Sequence, residues 1–103
     1  MKYFLIKYRL QNASQDEWHK HVAEFISALD SDPALKGKIT YRCMKNSKGA
    51  DYYHLASATD DQAIKALQQS PSFSRYTERT KQVAGGDVDV LPLDIVAQTS
   101  LGT

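Results

Sequence analysis

Cysteine and net charge are both scarce in this chain of 103 residues. Its single Cys43 cannot form an internal disulfide and has no Cys or close His partner at metal-ligand spacing, so we interpret it as a small buried apolar residue. Thirteen basic and twelve acidic side chains give a formal net charge of +1, and the two signs are interspersed. A basic surface for nucleic acid is therefore not expected.

Long apolar segments are also missing. No apolar run approaches the roughly 20 residues that a membrane-spanning helix needs, and Lys7 interrupts the apolar start before the core of a signal peptide could form. We therefore expect a cytoplasmic protein without a membrane partner. A chain of this length forms one domain, and we expect a single domain over residues 1–97 followed by a flexible polar tail over residues 98–103.

The motifs of several common enzyme classes are absent too. The sequence has no glycine-rich phosphate loop, no Gly-x-Ser-x-Gly nucleophile elbow and no HExxH zinc motif. Two pairs of nearby carboxylates, Asp60-Asp61 and Asp30/Asp32, lie at a predicted helix cap and beside Pro33, where capping and turn roles are favoured. No metal site is expected.

Four segments of the chain have the residue pattern of strands. The first places Phe4, Ile6 and Tyr8 on one face, which we expect to point toward the helices. Residues 46–50 are of turn-forming types and separate the second segment from the third, which predicts an antiparallel hairpin. The four segments are residues 2–10, 38–45, 51–58 and 87–97.

A capping box at Ser14 predicts the start of a first helix. The helix should end near Asp30, because Pro33 disfavours helical geometry in the residue before it. An apolar stripe at helical spacing predicts the buried side of this helix. The stripe consists of Trp18, Val22, Phe25, Ile26 and Leu29.

A second capping box, at Thr59, predicts another helix. The pair Ser70-Pro71 should break it, because proline favours the first turn of a new helix. The helical stretch that follows should end at Gly85-Gly86.

The order strand, helix, strand, strand, helix, strand predicts an α+β, ferredoxin-like fold with an antiparallel sheet and helices on one face. The other face would expose Tyr3 and Leu5 together with part of the hairpin, so a second copy of the chain is its expected cover. Pro92 lacks an amide hydrogen and belongs on an edge strand or at a bulge. We expect a homodimer formed through the sheet faces and through the half of the last strand that follows Pro92.

The chain resembles a known family in the order of its elements, in its start MKYFLIKYRL and above all in DQAIKALQQSPSFSRYTERTK at residues 61–81. The resemblance, which covers the chain to about Ala97, is to the antibiotic biosynthesis monooxygenase-like proteins of the dimeric α+β barrel superfamily. It implies a two-fold dimer with a ligand pocket in each subunit between sheet and helices. Members include oxygenases that oxidise phenolic or quinol compounds without metal or flavin, haem-degrading enzymes and small proteins of unknown activity. We expect no cofactor here.

Several positions depart from the pattern of that family. The haem-degrading branch uses an Asn, a Trp and a His where this chain has Tyr8, Leu67 and Thr77, so haem binding is the least favoured function. Other positions where relatives often carry Glu, Trp or His hold small side chains in this chain. These positions are Ala56, Ala58, Ala66 and Ser72.

His54 is the first candidate for catalysis, because an imidazole titrates near neutrality and could accept a phenolic proton if it faces the pocket. Its alternative is a hydrogen-bonded structural histidine or one at the dimer face. Tyr8 is the second catalytic candidate, with a buried structural tyrosine as its alternative.

Ligand contacts are predicted for side chains of this sequence that could line a pocket between sheet and helices. A helical aromatic such as Trp18 is more often part of the core, and a strand arginine such as Arg42 more often meets a cross-strand carboxylate or solvent. The predicted ligand-binding residues are Trp18, Phe25, Leu67, Phe73, Tyr76 and Arg42.

Three functions stay open at this point. The first is a small dimeric oxygenase that acts on an aromatic, phenolic or quinol compound without a cofactor. The second is a non-catalytic dimer that binds a small apolar or aromatic molecule. The third is haem binding or degradation.

Overall fold

Four strands and three helices follow one another in the computed structural model, which describes residues 1–100. They are β1 (Lys2–Arg9), α1 (Gln15–Ser31), β2 (Ile39–Lys45), β3 (Asp51–Ala58), α2 (Asp61–Gln68), α3 (Pro71–Val83) and β4 (Val88–Leu93). The strands form one antiparallel sheet in the order β2-β3-β1-β4, and the helices cover one of its faces. This is the predicted α+β, ferredoxin-like fold.

The first helix begins and ends close to the predicted residues. The Ser14 hydroxyl accepts a hydrogen bond from the Glu17 amide at 3.2 Å, which satisfies one of the free amides of the first turn. The helix ends at Ser31, where the Asp32 amide donates to the Leu29 carbonyl. The stripe side chains Trp18, Val22, Phe25 and Leu29 are buried, as their spacing predicts.

The second helix begins one residue later than predicted. Its N-cap is Asp60 rather than Thr59, and the Asp60 carboxylate accepts from the Ala63 amide at 2.9 Å. Thr59 instead donates its amide to the Lys38 carbonyl and so continues the pairing of the hairpin. Asp is as good an N-cap as Ser or Thr, so the register of the strand decides between the two candidates.

The break between α2 and α3 lies where the sequence predicts it. Pro71 occupies the first turn of α3, where its missing amide hydrogen costs no helical hydrogen bond. The end of α3 is followed by Gly85 and Gly86, whose φ angles of 68° and 92° lie in the region that favours glycine. The chain can therefore turn sharply into β4.

The last strand is shorter than predicted, because it ends at Leu93 and not at residue 97. Leu93 pairs with Tyr3, close to the start of β1. β1 begins at Lys2, and in the described part of the chain residues 94–97 pair with no strand of this subunit. Pro92 lies on the edge strand β4 opposite Phe4, which agrees with the position expected for a residue without an amide hydrogen.

The two faces of the sheet differ in what covers them. The inner face carries Tyr8, Tyr52 and His54 under the helices, and Cys43 packs against this core with the pKa of its thiol raised to about 11 by burial. Part of the outer face is open, and Leu91 remains 47% exposed there. Among residues 1–100, no helix has the length and hydropathy needed to cross a membrane.

The predicted division into a domain over residues 1–97 and a flexible tail over residues 98–103 stays a prediction. Residues 101–103 lie outside the described part of the chain.

Candidate functional site

A cavity of about 230 Å³ lies between the inner face of the sheet and helices α2 and α3. Side chains from all four strands and both helices contribute to its wall, so the fold as a whole forms it. The apolar part of the wall includes Phe4, Ile6, Ile39, Ile64, Leu67 and Phe73. The polar part includes Tyr41, Gln68, Tyr76, Thr77 and Thr80.

Two alanines on β3 help to make room for this cavity. Ala56 and Ala58 point toward the helices, line the cavity and are almost fully buried. Side chains the size of Glu or Trp at these positions would occupy the same space. The alanines at these two positions, where the proteins that the chain resembles often carry Glu and Trp, therefore leave a space that a ligand can use.

Two tyrosine hydroxyls at the cavity wall share one nitrogen of a buried histidine. The Tyr41 hydroxyl lies 2.6 Å from His54 Nδ1, and the Tyr76 hydroxyl lies 3.1 Å from the same atom. His54 has no exposed surface, whereas Tyr41 and Tyr76 line the cavity. A ligand in the cavity would therefore meet the two phenols, with the imidazole behind them.

The other nitrogen of His54 continues the chain of hydrogen bonds away from the cavity. The Tyr8 hydroxyl lies 2.7 Å from His54 Nε2 and accepts a hydrogen bond from Trp18 Nε1, also at 2.7 Å. Tyr8 and Trp18 are 3% and 1% exposed. Among residues 1–100, no buried side-chain nitrogen or oxygen lacks a hydrogen-bond partner.

The strand register explains why these side chains meet. His54 on β3 pairs with Ile6 on β1 and with Cys43 on β2, while Tyr8 and Tyr41 stand two residues away on the same face. Diagonal neighbours of this kind lie within reach of aromatic side chains. The row Tyr8, His54, Tyr41 therefore runs obliquely across three strands.

Two helices complete the site from above the sheet. Tyr76 of α3 stacks on Phe25 of α1, with ring centroids 3.8 Å apart, and on Trp18 at 5.9 Å. Stacked rings have little freedom to rotate, so they hold the Tyr76 hydroxyl near His54.

Burial keeps the site uncharged near neutral pH. Desolvation lowers the pKa of His54 to about 4, because the apolar surroundings disfavour the imidazolium. The same effect raises the pKa values of Tyr8, Tyr41 and Tyr76 above their usual range. The cluster therefore consists of a neutral imidazole and protonated phenols.

The predicted site residues lie at different depths around this cavity. Leu67, Phe73 and Tyr76 line it. His54 and Tyr8 form the layer behind the phenols, and their predicted catalytic roles stay predictions.

The remaining predicted ligand contacts lie outside the wall of the cavity. Phe25 and Trp18 are buried and pack against Tyr76 rather than forming part of the wall. Arg42 is exposed on the outer face of β2, where it stands opposite Leu55. A ligand held in this cavity would not contact Arg42.

Among the hydrogen-bond partners of His54, Tyr41 is the one that the predicted site residues did not include. The hairpin contains several tyrosines, and its sequence does not decide which of them face the helices. The pairing of Cys43 with His54 decides it, because residues two apart share a face and Tyr41 therefore joins His54.

Compared by sequence, the chain matches no protein-family profile and no curated protein. Solved structures do match it. SnoaB, a cofactor-independent oxygenase from Streptomyces nogalater, superposes with a TM-score of 0.74 over 96% of this chain and 95% of its own, at 15% identity. A putative antibiotic biosynthesis monooxygenase from Caulobacter crescentus CB15 has a TM-score of 0.75 over 93% of this chain and 90% of its own, also at 15% identity.

This chain has the fold of the antibiotic biosynthesis monooxygenases. Rv0793 from Mycobacterium tuberculosis shares it as well, with a TM-score of 0.76 over 96% of this chain and 98% of its own, at 11% identity. The match agrees with the resemblance in residues 61–81. At such identities it establishes the fold, and the side chains of the cavity have to carry any argument about function.

Proposed function

We propose that this protein binds a small phenolic or quinol compound in the cavity and oxidises it with O₂ without a cofactor. The observation that carries the proposal is an apolar cavity with two phenol hydroxyls in its wall, both held by the buried His54. Apolar walls with a few fixed polar groups are typical of sites for small organic ligands. The shared fold with SnoaB, a cofactor-independent oxygenase, supports the reaction class.

The size of the cavity limits the substrate. Its volume of about 230 Å³ is below the range of roughly 300–1,000 Å³ that is usual for drug-sized ligands. A compound of one or two fused rings suits this volume. A porphyrin does not fit it, which argues against the haem hypothesis.

The oxidation of 1-naphthol illustrates the reaction, because 1-naphthol and O₂ give 1,4-naphthoquinone and water without an external reductant. The aryloxide transfers one electron to O₂, and the two radicals join at C4 of the ring. The phenol gives its proton to water before it binds as the aryloxide, and the resulting peroxide takes one proton back from water. Loss of water then breaks the O–O and C4–H bonds, so that one oxygen atom ends in the quinone and the other in water.

The protein's contribution would be to exclude water and to hold the substrate's oxygen. The apolar side chains around Leu67 and Phe73 surround the rings, while Tyr41 and Tyr76 contact the oxygen on which charge develops. Hydrogen bonds to a developing charge are stronger in an apolar site than in water. His54 acts through the two phenols, since it does not itself reach the cavity.

A non-catalytic binder is the second candidate function. It is favoured by the absence, from the described wall of the cavity, of any lysine, arginine, histidine or carboxylate that would take a proton directly from the ligand. The low pKa of His54 also makes it a weak base.

Oxygen uptake with 1-naphthol separates the two functions. The oxygenase predicts uptake above the uncatalysed rate, formation of 1,4-naphthoquinone, and a loss of at least about tenfold in the double variant Tyr41→Phe, Tyr76→Phe. Tyr53→Phe, on the outer face, is the matched control. Saturable binding of 1-naphthol without oxygen uptake would favour the non-catalytic binder over the oxygenase. The absence of both binding and uptake would contradict both proposed functions.

We also propose that two copies of the chain pair through the outer faces of their sheets. Leu55, Leu5 and Leu91 stand side by side on this face, on β3, β1 and β4. Beyond β4, Ile95 and Val96 are exposed, the latter at 98%. Contiguous exposed apolar surface of this kind is typical of an interface.

A further inference from the structure

The direction of the hydrogen bonds around His54 follows from the Trp18 indole, which is the donor at the far end of this series of hydrogen bonds. An indole nitrogen can only donate, so Trp18 Nε1 donates to the Tyr8 oxygen. The remaining partner of Tyr8 is His54 Nε2, at 2.7 Å. If Nε2 carried a hydrogen, the Tyr8 hydrogen would have no acceptor, which costs about 1–3 kcal/mol for a buried group. Tyr8 therefore donates to Nε2.

The proton of the neutral imidazole must then lie on Nδ1, because Nε2 is an acceptor. Nδ1–H points to the side where Tyr41 and Tyr76 lie, at 2.6 and 3.1 Å. His54 Nδ1 and the two hydroxyls carry one polar hydrogen each. Nδ1 cannot accept either hydroxyl hydrogen, because it already carries a hydrogen of its own. One phenol can donate to the other, but a further O–H remains without a protein acceptor among the described residues.

We infer that the polar wall of the cavity accepts a ligand as a hydrogen-bond donor, so that the ligand presents an acceptor oxygen, either an aryloxide or a quinone or ketone carbonyl. Trp18 and Tyr8 are positioning residues in this scheme, because they fix the tautomer of His54 and contact no ligand. The inference rests on the proposed function only in using the same cavity as the ligand site. It makes Tyr41 and Tyr76 stabilisers of a substrate's oxyanion rather than acceptors of its proton.

The opposite tautomer gives the opposite chemistry. With its hydrogen on Nε2, His54 would accept the hydrogen of Tyr41 at Nδ1, and the phenol oxygens would be free to accept from a ligand hydroxyl. A neutral phenol would then bind as a donor, and His54 could take its proton through Tyr41. The position of one hydrogen therefore decides between a donating and an accepting site.

Nitrogen NMR of the full-length protein, labelled with ¹⁵N in histidine, tests the tautomer directly, because protonated and unprotonated ring nitrogens resonate far apart. We expect His54 to be protonated at Nδ1 and unprotonated at Nε2 in the wild type. In Tyr8→Phe nothing keeps Nε2 unprotonated, so we expect the two tautomers to mix. Tyr3→Phe, on the outer face, should leave the spectrum of His54 unchanged. Protonation at Nε2 in the wild type would overturn the inference.

Binding of 1-tetralone, whose carbonyl can only accept, tests the ligand chemistry without any turnover. We expect the C=O stretch of the bound ketone to move to lower wavenumber than in a hydrocarbon solvent, and its affinity to fall about tenfold in Tyr41→Phe, Tyr76→Phe. A bound ketone with an unshifted stretch would contradict a donating site. If 1-naphthol binds and 1-tetralone does not, the donating-site inference fails while the proposed function stands. If neither compound binds, the proposed function fails, while the nitrogen spectrum still decides the tautomer.

Discussion

The Tyr8 hydroxyl lies 2.7 Å from His54 Nε2, although 46 residues separate the two in the chain. This contact connects β1 with β3 and joins the indole of α1 to the phenols in the cavity wall. A buried polar group is inexpensive only when it has a partner. The chain of hydrogen bonds is therefore part of the stability of the fold as well as of the site.

Removing the Tyr8 hydroxyl should destabilise the protein. Tyr8→Phe leaves the Trp18 N–H and His54 Nε2 without their partner, so we expect the free energy of unfolding to fall by about 2 kcal/mol. Urea unfolding followed by circular dichroism measures the change. Ser27→Ala removes a hydroxyl from the exposed side of α1 and should change the free energy of unfolding by less than about 0.5 kcal/mol. Equal losses in the two variants would show that the buried hydrogen bonds of Tyr8 stabilise the protein no more than an exposed hydroxyl does.

Stability should fall in mild acid because of His54. Its pKa is about 4 in the folded protein and near 6.5 when unfolded, so the unfolded chain binds a proton more readily between these values. The contribution of neutral His54 to the free energy of unfolding is fully present above about pH 6.5. It falls by roughly 3 kcal/mol in total as the pH drops toward 4. The neighbouring phenols of Tyr8, Tyr41 and Tyr76 stay protonated throughout, because burial raises their pKa values.

Urea midpoints recorded across this pH range, for the wild type and for His54→Gln, isolate the contribution of His54. The variant should lose most of the slope between pH 6.5 and 4, whatever its stability at neutral pH. If the urea midpoints of the wild type and of His54→Gln depend on pH in the same way, a group other than His54 is responsible for the loss of stability in acid.

Filling the cavity should abolish ligand binding. Ala56→Leu adds three carbon atoms to a wall residue of a cavity of about 230 Å³, so we expect the affinity for 1-naphthol to fall at least about tenfold, as measured by fluorescence titration. Ala34→Leu changes an exposed alanine by the same amount and should bind like the wild type. Unaltered binding in Ala56→Leu would place the ligand outside this cavity.

Charge on the outer face should separate the proposed dimer. Leu91→Lys places an ammonium group beside Leu5, where an apolar partner surface would bury it, so sedimentation should show a shift from dimer to monomer. Ser27→Lys adds the same charge to the exposed side of α1 and should leave the dimer intact. A wild-type protein that sediments as a monomer at micromolar concentration would remove the proposal.

Local patterns predicted most of the fold. The Ser14 cap, the helical stripe on α1 and the Ser70-Pro71 break each depend on a few neighbouring residues, and all three lie where the sequence places them. The two errors, at Thr59 and after Leu93, both arise from strand pairing. Thr59 is not the N-cap because its amide pairs with the Lys38 carbonyl in the hairpin. The last strand ends at Leu93 because its partner β1 begins close to Tyr3.

The site was less predictable, because its geometry depends on contacts between distant segments. The sequence marked His54 and Tyr8 as candidates but did not show that they touch. It overlooked Tyr41, whose face is set by the register of the hairpin. The depth of His54 behind two phenols follows from the packing of α1 and α3, and no single segment encodes it.

The crystal structure of the complex with 1-naphthol tests the central claim most directly. The account predicts the ring system among Leu67, Phe73 and Ala56, with its oxygen about 2.5–3.0 Å from the hydroxyl of Tyr41 or Tyr76. A naphthol bound with its oxygen away from both hydroxyls, or bound elsewhere on the protein, would contradict it.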